Sequence, residues 1–191
     1  NVPFALFSAR QGREKTKELS PEQRERLTSY AAAAWRYYEE FCGVQDNYLP
    51  PDNVQETPVH RVAHRTSPTN IGLALLCTLA ARDLSLIDSA MLYERMDKML
   101  SSVEWNGNLY NWYDTASLRI LEPRYVSTVD SGNFFCCLTA LQQGLLEYAA
   151  EYPALADQAS RVGKLLDAGD LSPLYNPHRK LFHIGFDAQT G

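Results

Sequence analysis

Nothing in this chain is both long and apolar enough to cross a bilayer. The longest hydrophobic run, Ile71 to Ala81, stops at Arg82 and Asp83, well short of the roughly 20 residues that a spanning helix needs. A positive excess is missing too: 18 Lys and Arg stand against 23 Asp and Glu, for a formal net charge of -5. Nucleic acids select a basic footprint, so no nucleic acid is expected as partner. Without a polybasic run, an anionic membrane surface is not expected either. The first residues carry no signal-peptide pattern, because charges begin at Arg10 and no small-residue cleavage site follows an apolar block.

Cysteine and histidine are sparse. Cys42, Cys77, Cys136 and Cys137 include no C-x-x-C pair, and three of them lie in apolar helical runs. All four are read as reduced, mostly buried thiols. His60 and His64 are four apart, but Pro58 argues against a helix there and no third ligand is evident, so no metal is expected. G-x-S-x-G, P-loop and dinucleotide fingerprints are all absent. The chain begins at Asn1 and stops at Gly191 in mid-element, which reads as a piece of a longer protein.

What is present is helical periodicity. Residues 1–19 form a loose lead-in, and 20–191 a helical domain. Ser20-Pro21-Glu22-Gln23 is a capping-box start for an amphipathic helix over about 21–42, closed by Gly43. After an irregular stretch, 43–66, Ser67-Pro68 opens a helix that is apolar almost all round, to about Leu84. Asp88 or Ser89 caps the next, to about Val103, with Met91, Leu92, Met96, Met99 and Leu100 as its inner stripe. Asp130 or Ser131 caps another strongly apolar helix over about 131–150. Pro153 opens the last, to about Ala168, closed by Gly169. The tail Leu181–Asp187 alternates as a strand does.

Two near-wholly apolar helices thus alternate with amphipathic ones, and each apolar helix follows a long polar loop. A helix without a polar face is buried on most sides. The fold class expected is all-α, a portion of an (α/α) barrel or toroid, with long loops at one end and a short β-strand near the C-terminus.

The loop over 104–133 holds Trp105, Tyr110, Trp112, Tyr113 and Tyr125 among Asn106, Asn108, Asn111, Asp114, Asp130 and Asn133. Sugars need that mixture, since their C–H faces stack on aromatic rings while their hydroxyls pair with Asp, Asn and Arg. Loop anchors and turn formers would use the same residue types, and N-capping alone would account for Asp130. Arg65 is placed to pair with Asp114 or Asp130 across the same end. Glycoside chemistry uses two carboxyl groups, about 5–5.5 Å apart for retention or about 6.5–9.5 Å for inversion. Glu104, Asp114, Glu122 and Asp130 are the candidates in the right loop.

The stretches HRTSPTNIGLALLCTLAARDL, YNWYDT and PRYVSTVDSGN, with DNYLPPDNVQ before them and LYNPHRKLFHIGFDAQTG after, resemble the cyclic beta-1,2-glucan synthase family. The likeness runs from about Asp46 to Gly191, in the segment that leads into the glucoamylase-like domain. It implies a fragment of a very large bacterial enzyme embedded in the inner membrane, lying on the cytoplasmic side. It also implies glycosyl transfer that closes a beta-1,2-linked glucan into a ring, with no cofactor. The implied partners are the glucan and the remaining domains of the parent enzyme. This chain has FFCC after SGN, where that family tends to have a small apolar stretch. It also ends before later carboxylates that a complete barrel would supply, so the isolated fragment is expected to be inactive. The positions that match the family's motifs are Arg65, Thr66, Asn70, Asn111, Trp112, Tyr113, Asp114, Asp130, Ser131 and Asn133, expected to line the glucan end. A partial barrel would expose inner-helix faces, so self-association is expected. The alternative is a non-catalytic helical scaffold between domains of the same enzyme.

Overall fold

The computed structural model describes residues 18–102 and 109–189. By compactness the chain divides into 1–31 and 32–191. Most of the lead-in, together with Glu104, Trp105, Asn106 and Asn108, lies outside the described residues.

Among the described residues five α-helices carry the fold: α1 (Pro21–Phe41), α2 (Pro68–Asp83), α3 (Ser89–Ser102), α4 (Thr128–Tyr148) and α5 (Leu155–Ala168). The α1 capping box forms as its sequence requires, with Ser20 N–H donating to Gln23 Oε1 (2.9 Å) and Gln23 N–H to Ser20 Oγ (3.2 Å). Gly43 does not close α1 by a left-handed turn. It is extended at φ -104, and the positive φ angles fall on Asn47 (50) and Tyr48 (60). Asn47 is of a residue type that tolerates that region better than most. Here its Nδ2 donates to the carbonyls of Thr115 (2.7 Å) and Ala116 (2.9 Å).

Ser67 caps α2 as expected, accepting from Asn70 N–H. Asp88 rather than Ser89 caps α3, through Met91 N–H (2.8 Å). Helix α4 starts earlier than expected. Its cap is Ser127, which accepts from Asp130 N–H, so Asp130 and Ser131 lie inside the first turns.

The layering follows the apolar patterning. Helices α2 and α4 pack on each other, α3 covers α2, α5 covers α4, and α3 and α5 meet. The core between them is built on Leu75, Leu92, Met96, Phe134, Leu138 and Leu141. Met91, counted in the inner stripe of α3, faces solvent at 43% exposure. Gly72 lets α2 and α4 approach, because a Cβ there would come within 2.9 Å of Cys137 Cβ. The four cysteines are free. Cys42 and Cys137 are buried and Cys77 is partly so, but Cys136 is exposed, since it falls on the outward side of α4.

The loops are less irregular than their composition implies. Among the described residues they hold eight short strands in four antiparallel pairs: β1 (Val54–Gln55) with β2 (Arg61–Val62), β3 (Arg65–Thr66) with β4 (Tyr113–Asp114), β5 (Tyr125–Ser127) with β8 (Gly185–Asp187), and β6 (Tyr175–Asn176) with β7 (Leu181–Phe182). The expected tail strand is therefore two strands, broken at His183 and Ile184 and paired with different partners.

Candidate functional site

The site is assembled where the two long segments meet, at the N-terminal ends of α2 and α4. Strand β3 runs into α2 and β5 runs into α4. Strands β3 and β4 are paired in the register Arg65 to Asp114 and Thr66 to Tyr113. Cross-strand partners share a face and neighbours alternate. Arg65, Trp112 and Asp114 therefore belong to one face of the ribbon. His64, Thr66, Tyr113 and Thr115 belong to the other, where Thr66 and Thr115 are fully buried.

On the outer face, the Arg65 guanidinium lies 4.4 Å from the Trp112 ring centroid. Its ionic partner is Asp52, with Nη2 and Nε donating to Oδ2 at 2.9 and 3.2 Å. The expected pairing of Arg65 with Asp114 or Asp130 does not form, because each of those carboxylates has other donors. Asp114 Oδ1 accepts from Ser117 N–H and Ser117 Oγ–H, both at 2.7 Å. These two bonds, the side-chain one first, hold its carboxyl below the usual aspartate range.

Asp130 bridges the two helix starts. Its Oδ1 accepts from Thr69 Oγ–H (2.7 Å), and Thr69 Oγ1 in turn accepts from Asn133 Nδ2 (3.2 Å). With the Asn111 amide oriented to satisfy both of its neighbours, Asn111 Nδ2 donates to Asp130 Oδ2 (3.0 Å) and Asn111 Oδ1 accepts from Trp112 Nε1–H (3.1 Å). Asn70 Nδ2 reaches Asp52 Oδ1 at 3.4 Å. Thr69 and Asn70 are consecutive, so the contacts close a ring: Thr69, Asp130, Asn111, Trp112, Arg65, Asp52, Asn70. N-capping does not account for Asp130, since Ser127 does that work.

Six of the expected residues thus stand together in side-chain contact: Arg65, Asn70, Asn111, Trp112, Asp130 and Asn133. Asp114 shares the outer face of the ribbon with Arg65 and Trp112 but bonds to Ser117. Three turn away from this cluster. Ser131 is buried, and its hydroxyl donates to the Ser127 carbonyl (2.7 Å) inside α4. Thr66 is on the inner face, its Oγ1 without a partner among the described residues. Tyr113 packs on the core, its Oη accepting from Tyr110 N–H (2.9 Å), and burial raises its pKa. Glu122 is exposed and pairs with Arg124 (3.2 Å).

Sequence reasoning missed Asp52 and Thr69, which complete the ring. Thr69 lay inside a stretch already singled out, one residue from Asn70. Asp52 follows Pro50-Pro51 in a loop, with no periodicity to mark it. Also missed was Asp46, 1% exposed, whose Oδ1 accepts from Thr115 Oγ–H and faces His64 Nδ1 at 2.8 Å. That contact ties the start of the first loop to the β3–β4 ribbon. A recess lined by Tyr38, Cys42, Tyr48, Thr78, Arg95 and Met99 lies apart from the ring; at about 10 Å³ it holds one water at most.

No family model matches the chain. It is 37% identical, over a 188-residue alignment, to the cyclic beta-(1,2)-glucan synthase NdvB of Rhizobium meliloti. That match covers 91% of this chain and 6% of that protein, so the chain spans a small part of its relative's length. Among solved structures it is similar to a proposed glucoamylase of Bacteroides fragilis, with a TM-score of 0.72 at 14% identity, over 93% of this chain and 43% of that one. An endo-beta-1,2-glucanase of Chitinophaga pinensis gives a TM-score of 0.61 at 14% identity, over 85% of this chain and 42% of that one. At such identities the structural likeness speaks for the fold. The chain is a relative of one segment of the cyclic beta-1,2-glucan synthase family, folded as a portion of a glucoamylase-like α/α barrel.

Proposed function

We propose that this chain is part of a glucan-modifying enzyme and that the ring at the starts of α2 and α4 belongs to its binding site for beta-1,2-linked glucan. One observation carries the reading. Residues of HRTSPTN, YNWYDT and VDSGN, far apart in sequence, are joined side chain to side chain at one end of the helices. An aromatic ring, two carboxylates, amides and a cation within one bonded set are the groups that a sugar ring uses. NdvB is named for cyclic beta-(1,2)-glucan synthesis, which supports a beta-1,2 linkage for the glucan.

The chemistry of the whole enzyme is glycosyl transfer with ring closure. A carboxylic acid protonates the leaving oxygen, and a carboxylate acts as nucleophile or base. Asp114, held below its ordinary pKa by Ser117, does not suit the first task, because a proton donor must keep its proton near neutral pH. Asp130 has both oxygens committed to Thr69 and Asn111, which makes it a positioning residue. The parent enzyme's other domains supply the remaining groups and the membrane location. Among the described residues no helix is long and apolar enough to cross a membrane.

Calorimetric titration with linear beta-1,2-gluco-oligosaccharides tests the reading. Saturable binding is expected, lost in a Trp112→Ala/Asp114→Ala variant that keeps its circular dichroism. Equal binding by that folded variant would remove the site from these residues.

A further inference from the structure

The Trp112 ring is the flat surface on which this site would seat a sugar, yet the Arg65 guanidinium lies over it at 4.4 Å. Arg65 is the outer of the two: its side chain is 48% exposed, whereas Trp112 is partly buried and fixed at its edge through Nε1 and Asn111. A cation and a C–H face bind the same π surface and cannot share it. Asp52 holds the guanidinium in place with two bonds to one oxygen. Asp52 is itself 19% exposed and is steadied by Asn53 Nδ2 (3.0 Å) and Asn70 Nδ2 (3.4 Å).

We propose that Arg65 is a displaceable cover of the Trp112 face, with Asp52 as its catch, and that a glucose unit binds by taking the place of the guanidinium. The displacement is accessible. An exposed cation–π contact and an exposed ion pair are each weak, so little is lost when Arg65 swings off the ring. Selectivity follows, because a ligand must offer an apolar face to the indole to compete. Charged or extended polar ligands leave the cover closed. The inference rests on the glucan reading, which places the sugar at Trp112.

The sign of one substitution separates a cover from a contact. Arg65→Ala is expected to bind linear beta-1,2-gluco-oligosaccharides about two- to fivefold more tightly than the unaltered chain, the equivalent of removing one competing exposed cation–π contact. Asp52→Asn, which frees the catch while keeping the side-chain shape, is expected to shift binding the same way by less. Acrylamide quenching of the Trp112 emission, assigned by difference against Trp112→Phe, is expected to rise in Arg65→Ala without any ligand. Unchanged or weaker glucan binding by a folded Arg65→Ala chain overturns the proposal. If neither chain binds glucan, the glucan reading fails, and quenching alone judges the cover: no rise in Arg65→Ala overturns it.

Discussion

Asp114 and Asp130 show how little a carboxylate's identity says about its work. Both fall within the 104–133 stretch, Asp114 in β4 and Asp130 in the first turn of α4, and both were candidates for acid, base or nucleophile. Asp130 is spent on two neighbours from α2 and the Trp112 loop. Asp114 is partly buried, and its depressed pKa comes chiefly from the Ser117 hydroxyl, then from the Ser117 N–H. A carboxyl whose folded pKa lies below its unfolded value stabilises the fold above about pH 4, the ordinary aspartate range. That contribution disappears as pH falls through the folded value. Solvent screening keeps it small here. Ser117→Ala removes the larger donor, so the Asp114 pKa is expected to move up toward its ordinary value in a carboxyl NMR titration. An unmoved titration would mean that the backbone N–H alone holds it. Neither the choice of Ser117 nor that of Asn111 is marked by residue type; each follows from where the backbone turns.

At the scale of elements, the starts of α2 and α4 determine what reaches the site. The Ser-Pro start of α2 was legible because Pro at the first helical position and a preceding hydroxyl act locally. The start of α4 was placed three residues late, because VSTVDSG offers several caps in a row. The choice of Ser127 follows from β5, whose pairing with β8 holds Tyr125–Ser127 extended and makes Ser127 the last non-helical residue. Ser127→Ala is expected to cost about 1 kcal/mol in urea denaturation. Asp130→Ala should leave the helix start intact while loosening Asn111 and the indole. Gly185 sets the β5–β8 contact, because a Cβ there would run into the Val126 carbonyl oxygen and the Tyr125 ring. Gly185→Ala is expected to lower stability by about 1–3 kcal/mol and to shift the end of α4 nearest the site. A stable, unshifted variant would show that the pair can part without consequence.

For the whole molecule, the apolar helices are not enclosed on every side. Leu73 on α2 and Leu146 on α4 are 46% and 49% exposed, and Val129, Leu181, Phe182 and Ile184 are exposed near the start of α4 and along the tail. Apolar side chains left in water favour association when they gather into a patch. Sedimentation of the chain is expected to show self-association above its 21.6 kDa monomer, reduced by Leu73→Glu/Ile184→Ser. A clean monomer at high concentration would oppose it.

The helices, their order and the alternation of wholly apolar with amphipathic segments were determined by the sequence alone. Helix formation is governed by contacts three and four residues apart, which periodicity and caps record directly. The motif residues were also visible as a group, through their density of aromatics, amides and carboxylates. Only the tertiary structure decided which of them meet. Thr69 and Asp130 are 61 residues apart and Arg65 and Asp52 are 13 apart, and no local preference selects one carboxylate over another at such separations. The pairing of β3 with β4 and the packing of α2 on α4 bring those groups within reach. They give Arg65 to Asp52, Asp130 to Thr69 and Asn111, and set the guanidinium over the indole.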